Sequence, residues 1–486
     1  MSVVKKLASQ TAVYGLSTMV GRFINYLLVP IYTAVLLNIA DYGVVSVMFS
    51  YASLFSVIFA MGLETAFFHF AQKTDSPEQV FSNAVHALIL SGLIWLIVVR
   101  IFSSEIMAFI GYPDHPEYAF WFALILVFDS ISALGFAWFR FKQQPWKFAS
   151  IKLTNIIINV FFNLFFLFIL PELPQSFELI FSPFVQKQNQ VSYIFFSSLL
   201  AAILTIPLMY KIFKYILLGI DFELLKKMLK YSYPLIFIGL AGMINETFDR
   251  ILLKKILPES QADYQTSIYS AFYKLSMILT LFVQAFRFAV EPFFFQQSKS
   301  EDSKTTYAYV MKWFVYAVSV IYLFTLCILP WIAPLLIRNP EYFKDPNGLA
   351  IVPYLLAANL FLGIYYTLSV WYKVSDKTKI GTIPAIFGAL LTIILNMILI
   401  PILGIKGSAI TTLIVYFSMV IVGYLLSRKH YPIPYNLPLI VSVLVLCFVL
   451  GDVILQLNFT PLHTILRISL FFIFIMGIYI YEKKSV

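Results

Sequence analysis

The sequence predicts an all-α polytopic membrane protein with about 14 transmembrane helices, built as two six-helix lobes plus two C-terminal helices. Three observations predict this fold class. The 486-residue chain is 60% hydrophobic and only 12% charged, whereas a soluble protein has roughly 25% charged residues. Its apolar residues come in runs of the length that a membrane helix needs, about 20 residues. Its second and eighth runs are similar, which indicates two repeated halves.

The apolar runs predict 14 spans in chain order. The first run follows Lys5 and Lys6 and continues too far for a signal peptide, so it is interpreted as a retained span. The connection 171–191 holds too many prolines to cross the membrane, and no function is assigned to it. The spans are predicted at 12–37, 42–68, 81–102, 118–139, 148–170, 192–216, 231–253, 265–290, 307–330, 350–372, 380–400, 407–427, 437–455 and 462–481.

Lysine and arginine in the connections predict the orientation. When the N-terminus and every second connection are grouped, that side carries 20 Lys and Arg residues and the other side carries 6. The positive-inside rule then places both termini in the cytoplasm. The same rule accounts for the net charge of +10, so we do not expect a nucleic-acid partner.

A weak internal repeat predicts the domain boundaries. A shift of 227 residues aligns span 2 with span 8 and gives seven identities in 27 positions. Four of them are Phe in a Phe-rich chain, so the match of Glu64 with Glu291 is the more informative one. The repeat predicts an N-lobe at 1–220 (spans 1–6) and a C-lobe at 221–430 (spans 7–12). Spans 13 and 14, at 431–486, lie outside it.

Two basic residues are predicted near mid-membrane depth, Arg22 in span 1 and Lys274 in span 8. A charge within a span costs roughly 2.5–3.5 kcal/mol on insertion scales and usually faces a bundle interior or a water-filled path. Together they would form a cationic cavity suited to an anionic solute such as a phosphate. The alternative is that structural carboxylates neutralise both.

Further ionisable groups lie toward the ends of these spans. Glu246 and Arg250 have the favourable i, i+4 spacing of a helical ion pair, and Asp249 adjoins them. A structural network near the outer end of span 7 is favoured over direct substrate contact. Arg287 and Glu291 share the same spacing near the cytoplasmic end of span 8, and with Glu64 they suggest an inner gate. The alternative is solvated charge at the membrane interface.

Polar residues elsewhere carry weaker signals. Asn155, Asn159 and Asn163 form a stripe on span 5, which we interpret first as interhelical packing and second as a sugar contact. The histidines show no metal-ligand spacing. There is no Gly-rich phosphate loop with Lys, no HExxH and no convincing nucleophile elbow. These observations predict a transporter rather than an enzyme, with no cofactor and no metal.

Four stretches resemble the polysaccharide transporter (oligosaccharide flippase) family of the multidrug/oligosaccharidyl-lipid/polysaccharide (MOP) superfamily. The similarity covers nearly the whole chain in layout and about a fifth of it in motif. The stretches are YGLSTMVGRFINYLLVPIYTAVLLNIADYGVVSVMFSY at 14–51, DRILLKK at 249–255 with IYSAFYKLSMILTLFVQAFRFAVEP at 268–292, and LNMILIPILGIKGSAITTLIVYFSMV at 395–420.

The resemblance implies two lobes, similar to those of MATE drug exporters, that open alternately to either side. It implies a glycan linked to undecaprenyl diphosphate, moved from the inner to the outer leaflet of a bacterial inner membrane for O-antigen, lipopolysaccharide or other polysaccharide biosynthesis. It implies Arg22, Lys274, Arg250 and Arg287 as substrate-binding residues. Other polysaccharide assembly proteins are partners of such transporters, and H+ or Na+ coupling stays open.

Two alternatives remain at this point. A MATE-type multidrug or cation antiporter often has an acid in its first span, whereas here the mid-span charge is Arg22 and Asp41 lies beyond the helix. A membrane-embedded polysaccharide polymerase requires acid–base residues in a large outward loop, and the sequence has no such loop. The flippase interpretation is therefore favoured.

Overall fold

The fold is described from a computed structural model. It covers residues 13–173, 190–297, 300, 302–457 and 460–485, apart from Leu16, Arg22, Asn25, Leu37 and Asp376. Most of the connection 171–191 and part of the first predicted span therefore lie outside the described residues.

Helices are the regular elements of the described part of the chain. Those of the first half are α1 (Val29–Val35), α2 (Ile39–Ala60), α3 (Leu63–Ala71), α4 (Pro77–Ile101), α5 (Ser103–Ile110), α6 (Pro116–Phe141), α7 (Pro145–Leu164), α8 (Gln190–Leu208), α9 (Tyr210–Phe213) and α10 (Phe222–Ile256). A π-helical turn (Phe165–Ile169) and a 3-10 turn (Leu170–Glu172) extend α7, and a second 3-10 turn (Lys214–Leu218) follows α9.

The second half continues in the same way. Its helices are α11 (Glu259–Gln297), α12 (Ser303–Leu336), α13 (Pro346–Leu368), α14 (Val370–Val374), α15 (Thr378–Gly381), α16 (Ile383–His430), α17 (Leu437–Gln456) and α18 (Pro461–Ser485). A 3-10 turn (Pro340–Lys344) precedes α13.

Local sequence accounts for many of the helix starts. Proline occupies the first turn of α4, α6, α7 and α13, where its missing N–H costs nothing because that group has no partner within the helix. The Asp221 carboxylate accepts the Leu224 N–H at 3.0 Å and so caps α10. Asp345 caps α13 in the same manner by accepting the Asn347 N–H at 2.9 Å.

The predicted membrane fold is confirmed. Within the described residues, 11 helices are long and apolar enough to cross a membrane. The predicted spans at 380–400 and 407–427 both fall in the range of α16, which consists of two helical segments that meet at the non-helical residue Gly404 (φ 55°, ψ −136°). Predicted span 7 lies within the charge-bearing helix α10, which is not one of the 11. The exact number of 14 spans remains a prediction.

Two boundaries differ from the sequence prediction. Predicted span 2 lies within one candidate membrane-crossing stretch, Ile39–Ala71, but Met61 and Gly62 both adopt left-handed conformations (φ 52° and 62°) and divide it into α2 and α3. The predicted loop 103–117 contains the short helix α5, whose Met107 and Ile110 are buried. These apolar residues give α5 a packed face that a solvent-exposed loop would not have.

By its contacts the chain forms two compact units. The first comprises the described residues within 1–28 and 35–267, and the second those within 29–34 and 268–486. The division falls inside α11, whereas the repeat predicts a lobe boundary at 220/221. That lobe boundary remains a prediction.

The first unit is centred on α6, which packs against α4, α8 and α2. Aromatic rings fill one part of its core: the Phe81 and Trp138 rings lie 4.9 Å apart, and Phe67 lies 6.0 Å from each of them. Such pairs contribute roughly 0.5–1.5 kcal/mol each beyond area burial. Helix α10 belongs to this unit and packs along α2 and α3.

The second unit is built on α13 and α16, with α12 packed against α13, α17 and α18. Glu482 fastens α18 to α12, since it accepts hydrogen bonds from Lys312 Nζ and the Tyr316 hydroxyl at 2.7 Å each. The short helix α1 joins this unit where the Thr33 hydroxyl accepts the Arg338 N–H at 3.3 Å.

Candidate functional site

The predicted charge cluster of span 7 lies on α10, in the first unit. Asp249 and Arg250 are buried, with 5% and 9% of their surface exposed. Arg250 Nη1 donates to Asp249 Oδ1 at 2.9 Å and to the main-chain carbonyl of Glu246 at 3.1 Å. The neighbouring carboxylate thus stabilises the buried guanidinium.

A second buried cluster, the Asp263 cluster, comprises Tyr112, Lys254 and Asp263. The Asp263 carboxylate accepts a hydrogen bond from the Tyr112 hydroxyl through Oδ1 and one from Lys254 Nζ through Oδ2, each at 2.7 Å. Lys254 Nζ also lies 4.4 Å from the centre of the Tyr112 ring, in cation–π contact. The cluster joins the α5–α6 turn, the end of α10 and the start of α11.

Burial, and after it the Asp263 charge, raises the pKa of the Tyr112 hydroxyl well above its usual range. At neutral pH Tyr112 is therefore a hydrogen-bond donor and Asp263 an acceptor. The two residues are 151 positions apart, and the sequence reasoning did not select either. The detectable signal was the isolated acid Asp263 beside the basic end of the preceding helix.

Glu64 of the proposed inner gate begins α3 and is bonded to α6. Its Oε1 accepts a hydrogen bond from Arg140 Nη2 at 2.5 Å, and both side chains are partly exposed. Arg140 also lies over the Phe68 ring at 5.3 Å. Glu291 lies on α11 but its side chain is outside the described residues. The gate therefore stays a prediction.

The two basic residues of α11 lie in the second unit. Lys274 is half-buried. Arg287 is exposed, and its guanidinium carbon lies 4.9 Å from the centre of the Tyr366 ring. Arg287 and Tyr366 line a narrow cleft together with Val283, Gly363 and Thr367. Arg22, the predicted counterpart of Lys274, lies outside the described residues.

The second unit also contains a cavity of about 980 Å³ among α12, α13, α17 and α18. Its wall is mainly apolar, with Leu326, Trp331 and Phe448 among its residues, and it includes Asp452 and Arg467. A volume of this order is at the upper end for ligand pockets, roughly 300–1,000 Å³. The cavity thus combines a mainly apolar wall with one acidic and one basic side chain.

The asparagine stripe of α7 faces α8. Asn155 Nδ2 donates to Thr205 Oγ1 at 2.7 Å, and Asn159 Nδ2 donates to Ser198 Oγ at 3.2 Å. Asn163 is fully buried. These hydrogen bonds are those of helix packing. Within the described residues, no group of three or more His, Cys, Asp or Glu side chains is arranged to hold a metal ion.

The sequence was also compared with known protein families. The model of the polysaccharide biosynthesis protein family matches residues 7–298, more than half of the chain. The chain belongs to this family. The resemblance to the oligosaccharide flippases of the MOP superfamily is thereby confirmed. No curated protein matches the sequence.

Solved structures of the superfamily share the fold of this polysaccharide biosynthesis protein. The lipid II flippase MurJ in its inward closed conformation is 16% identical, with a TM-score of 0.68 over 96% of this chain and 98% of that one. A MATE transporter in complex with MaD3S is 15% identical, with a TM-score of 0.61 over 88% and 98%. An inward-facing multidrug resistance MATE transporter is 15% identical, with a TM-score of 0.60 over 88% of this chain and 94% of that one. At these identities the likeness shows the fold alone.

Proposed function

We propose that this protein is a lipid-linked oligosaccharide flippase, which moves an undecaprenyl-diphosphate-linked glycan from the inner to the outer leaflet of a bacterial inner membrane by alternating access. The product would supply the synthesis of a cell-surface polysaccharide such as O-antigen. The family match over residues 7–298 carries the proposal, because it connects this fold with polysaccharide synthesis rather than with drug export.

The chemistry of the described residues supports an anionic lipid substrate. Lys274 and Arg250 are basic residues in long, largely apolar helices, and Arg287 lines a cleft. We propose that Arg22 and Lys274 hold the diphosphate, with Arg250 and Arg287 assisting. The 980 Å³ apolar cavity provides room for part of the polyprenyl chain. Outward movement of each negative charge gains about 2.3 kcal/mol per 100 mV across an inside-negative membrane.

Reconstitution into vesicles with a fluorescent polyprenyl-diphosphate sugar tests the proposal. We expect wild-type protein to move the probe between leaflets. Arg22→Ala and Lys274→Ala should each lower the rate of probe movement about tenfold or more, because a hydrogen bond to a charged group contributes roughly 1.5–3 kcal/mol. Lys344→Ala is the matched control, since that side chain is 70% exposed and pairs with Glu341 one helical turn away. Equal rates for wild type and both variants would exclude the cationic site.

One alternative is a drug or cation antiporter, since solved MATE transporters share this fold. The same vesicles distinguish it, because an antiporter would export an organic cation against a proton or sodium gradient and leave the lipid probe in place. Ion coupling is tested by measuring the rate of lipid-probe movement with and without an imposed H+ or Na+ gradient. Cysteine cross-linking between positions 64 and 291 tests the inner gate: a yield that is the same with and without substrate would count against it.

A further inference from the structure

Residues 210–222, here the interfacial segment, present apolar side chains outward. Leu217 is 90% exposed and Phe222 is 75% exposed, and Tyr210, Leu218 and Ile220 are exposed as well. The segment comprises α9, the 3-10 turn Lys214–Leu218 and a change of chain direction at Gly219. The φ of Gly219, +75°, is unfavourable for residues other than glycine. In water such a row of apolar side chains would be costly, so something must cover it.

The outward orientation is built into the structure. The Gly219 carbonyl accepts hydrogen bonds from Ser82 Oγ at 2.8 Å and from Gln79 Nε2 at 3.1 Å. Asn83, fully buried, donates to the Asp221 carbonyl at 3.0 Å and accepts the Asp221 N–H at 2.9 Å. These four bonds from α4 hold the backbone at Gly219 and Asp221, between the exposed side chains of Leu218 and Phe222.

Lysines flank the apolar residues. Five exposed lysines lie in or just after the segment, and the acids Asp221 and Glu223 lie among them. Of these acids, Asp221 uses its carboxylate to cap α10. The basic residues are Lys211, Lys214, Lys226, Lys227 and Lys230.

The position of the segment indicates what covers its apolar side chains. It begins two residues after α8, which is long and apolar enough to cross the membrane, so it lies at the membrane surface. Apolar side chains that enter the acyl boundary, flanked by lysines at headgroup level, are the pattern of interfacial membrane binding. Clustered lysines add specificity for anionic lipids.

We propose that the interfacial segment is a binding site for anionic phospholipids of the membrane surface. Leu217, Leu218 and Phe222 enter the bilayer, and the lysines bind phosphate groups. The proposal does not depend on which substrate the protein carries.

A single thiol-reactive probe tests the contact in the full chain. The native Cys327 and Cys447 are buried, so an environment-sensitive NBD label reacts at an introduced Leu217→Cys. We expect blue-shifted emission that brominated lipid quenches strongly. The quenching should be greater in phosphatidylcholine vesicles containing phosphatidylglycerol than in pure phosphatidylcholine vesicles. Phe222→Cys repeats the measurement in case the first variant folds poorly, and Asp114→Cys, exposed in the α5–α6 turn, is the water-exposed control.

A quadruple variant of the same labelled protein tests whether the lysines recognise anionic lipid. It combines Lys211→Gln, Lys214→Gln, Lys226→Gln and Lys227→Gln. We expect the additional quenching from phosphatidylglycerol to disappear while quenching in phosphatidylcholine remains. If the quadruple variant keeps the full response to phosphatidylglycerol, anionic recognition by these lysines is wrong. A label at position 217 that stays in water in both kinds of vesicle would overturn the membrane contact and indicate a protein partner instead.

Discussion

Asp263 accepts hydrogen bonds from two side chains that reach it from different parts of the first unit. Lys254 is nine residues away in sequence and Tyr112 is 151 away. The Lys254 side chain is 6% exposed and that of Asp263 23% exposed. When a buried charge loses its partner, no favourable interaction offsets the free-energy cost of its desolvation. The cluster is therefore a point where one substitution has a large effect.

We predict that Lys254→Met destabilises the purified protein by roughly 3–5 kcal/mol, the usual cost of breaking a buried ion pair. The melting temperature in detergent checks this. Lys344→Met is the matched control, because Lys344 and its partner Glu341 are 70% and 52% exposed and such pairs contribute about 0–1 kcal/mol. Equal melting temperatures for the two variants would contradict the structural role of the cluster.

The residue scale also shows where sequence reasoning reaches its limit. The i, i+4 spacing predicts that Glu246 and Arg250 share a helix face, and Arg250 bonds the Asp249 carboxylate and the Glu246 main-chain carbonyl. Spacing indicates which residues share a helix face but not which oxygen a guanidinium selects. The contact between Tyr112 and Asp263 has no local signal, since it depends on how distant helices pack.

At the level of elements, α2 meets the start of α11 with almost no space between the backbones. A methyl group added to Gly43 would lie 2.0 Å from the carbonyl oxygen of Asp263. The obstacle is backbone, so no side chain can move aside to make room. Glycine at position 43 therefore permits the approach that places Asp263 within reach of Tyr112 and Lys254.

We predict that Gly43→Ala is destabilising by more than about 1–3 kcal/mol, the usual cost of overpacking, because backbone rather than side chain must shift. Gly242→Ala is the control: it lies within α10, and an added methyl group there meets nothing within 4 Å. Alanine is favoured over glycine in a helix by roughly 1 kcal/mol, so this control should melt at the same or a higher temperature. Thermal melts that rank the two variants in the opposite order would exclude the close approach.

The kink in α16 gives a second prediction for an element. Gly404 has φ 55° and ψ −136°, a region that is essentially restricted to glycine. Gly404→Ala should therefore cost on the order of 1–3 kcal/mol through backbone strain, measured as a lower melting temperature. Gly477→Ala in α18 meets no atom within 4 Å and should be neutral. An unchanged melting temperature for Gly404→Ala would show that the helix tolerates a straight path.

Elements were predicted well where the signal is local. Hydropathy and length located the spans because a membrane helix must be apolar along about 20 consecutive residues. The break between α2 and α3 was missed, because Met61 adopts a left-handed conformation that its residue type does not signal. The division between the two spans at 380–400 and 407–427 agrees with the structure, since non-helical backbone at Gly404 separates two helical segments of α16.

For the whole molecule, the sequence predicts fold class and family from features that extend along the entire chain, and both are confirmed. The central cationic site is different. It depends on Arg22, outside the described residues, and on how side chains from separate helices converge. Composition and spacing show which residue types a helix carries. They do not show which side chains from separate helices meet, because that depends on how the helices pack.

The last prediction concerns orientation in the membrane. The excess of Lys and Arg predicts the start of α12 on the cytoplasmic side and the α5–α6 turn outside. Thr305→Cys and Asp114→Cys place exposed thiols at these points, and the buried native cysteines provide an unlabelled background. In intact spheroplasts a membrane-impermeant maleimide should label position 114 at once and position 305 only after permeabilisation. The reverse pattern would invert the topology and place the interfacial segment against the other leaflet.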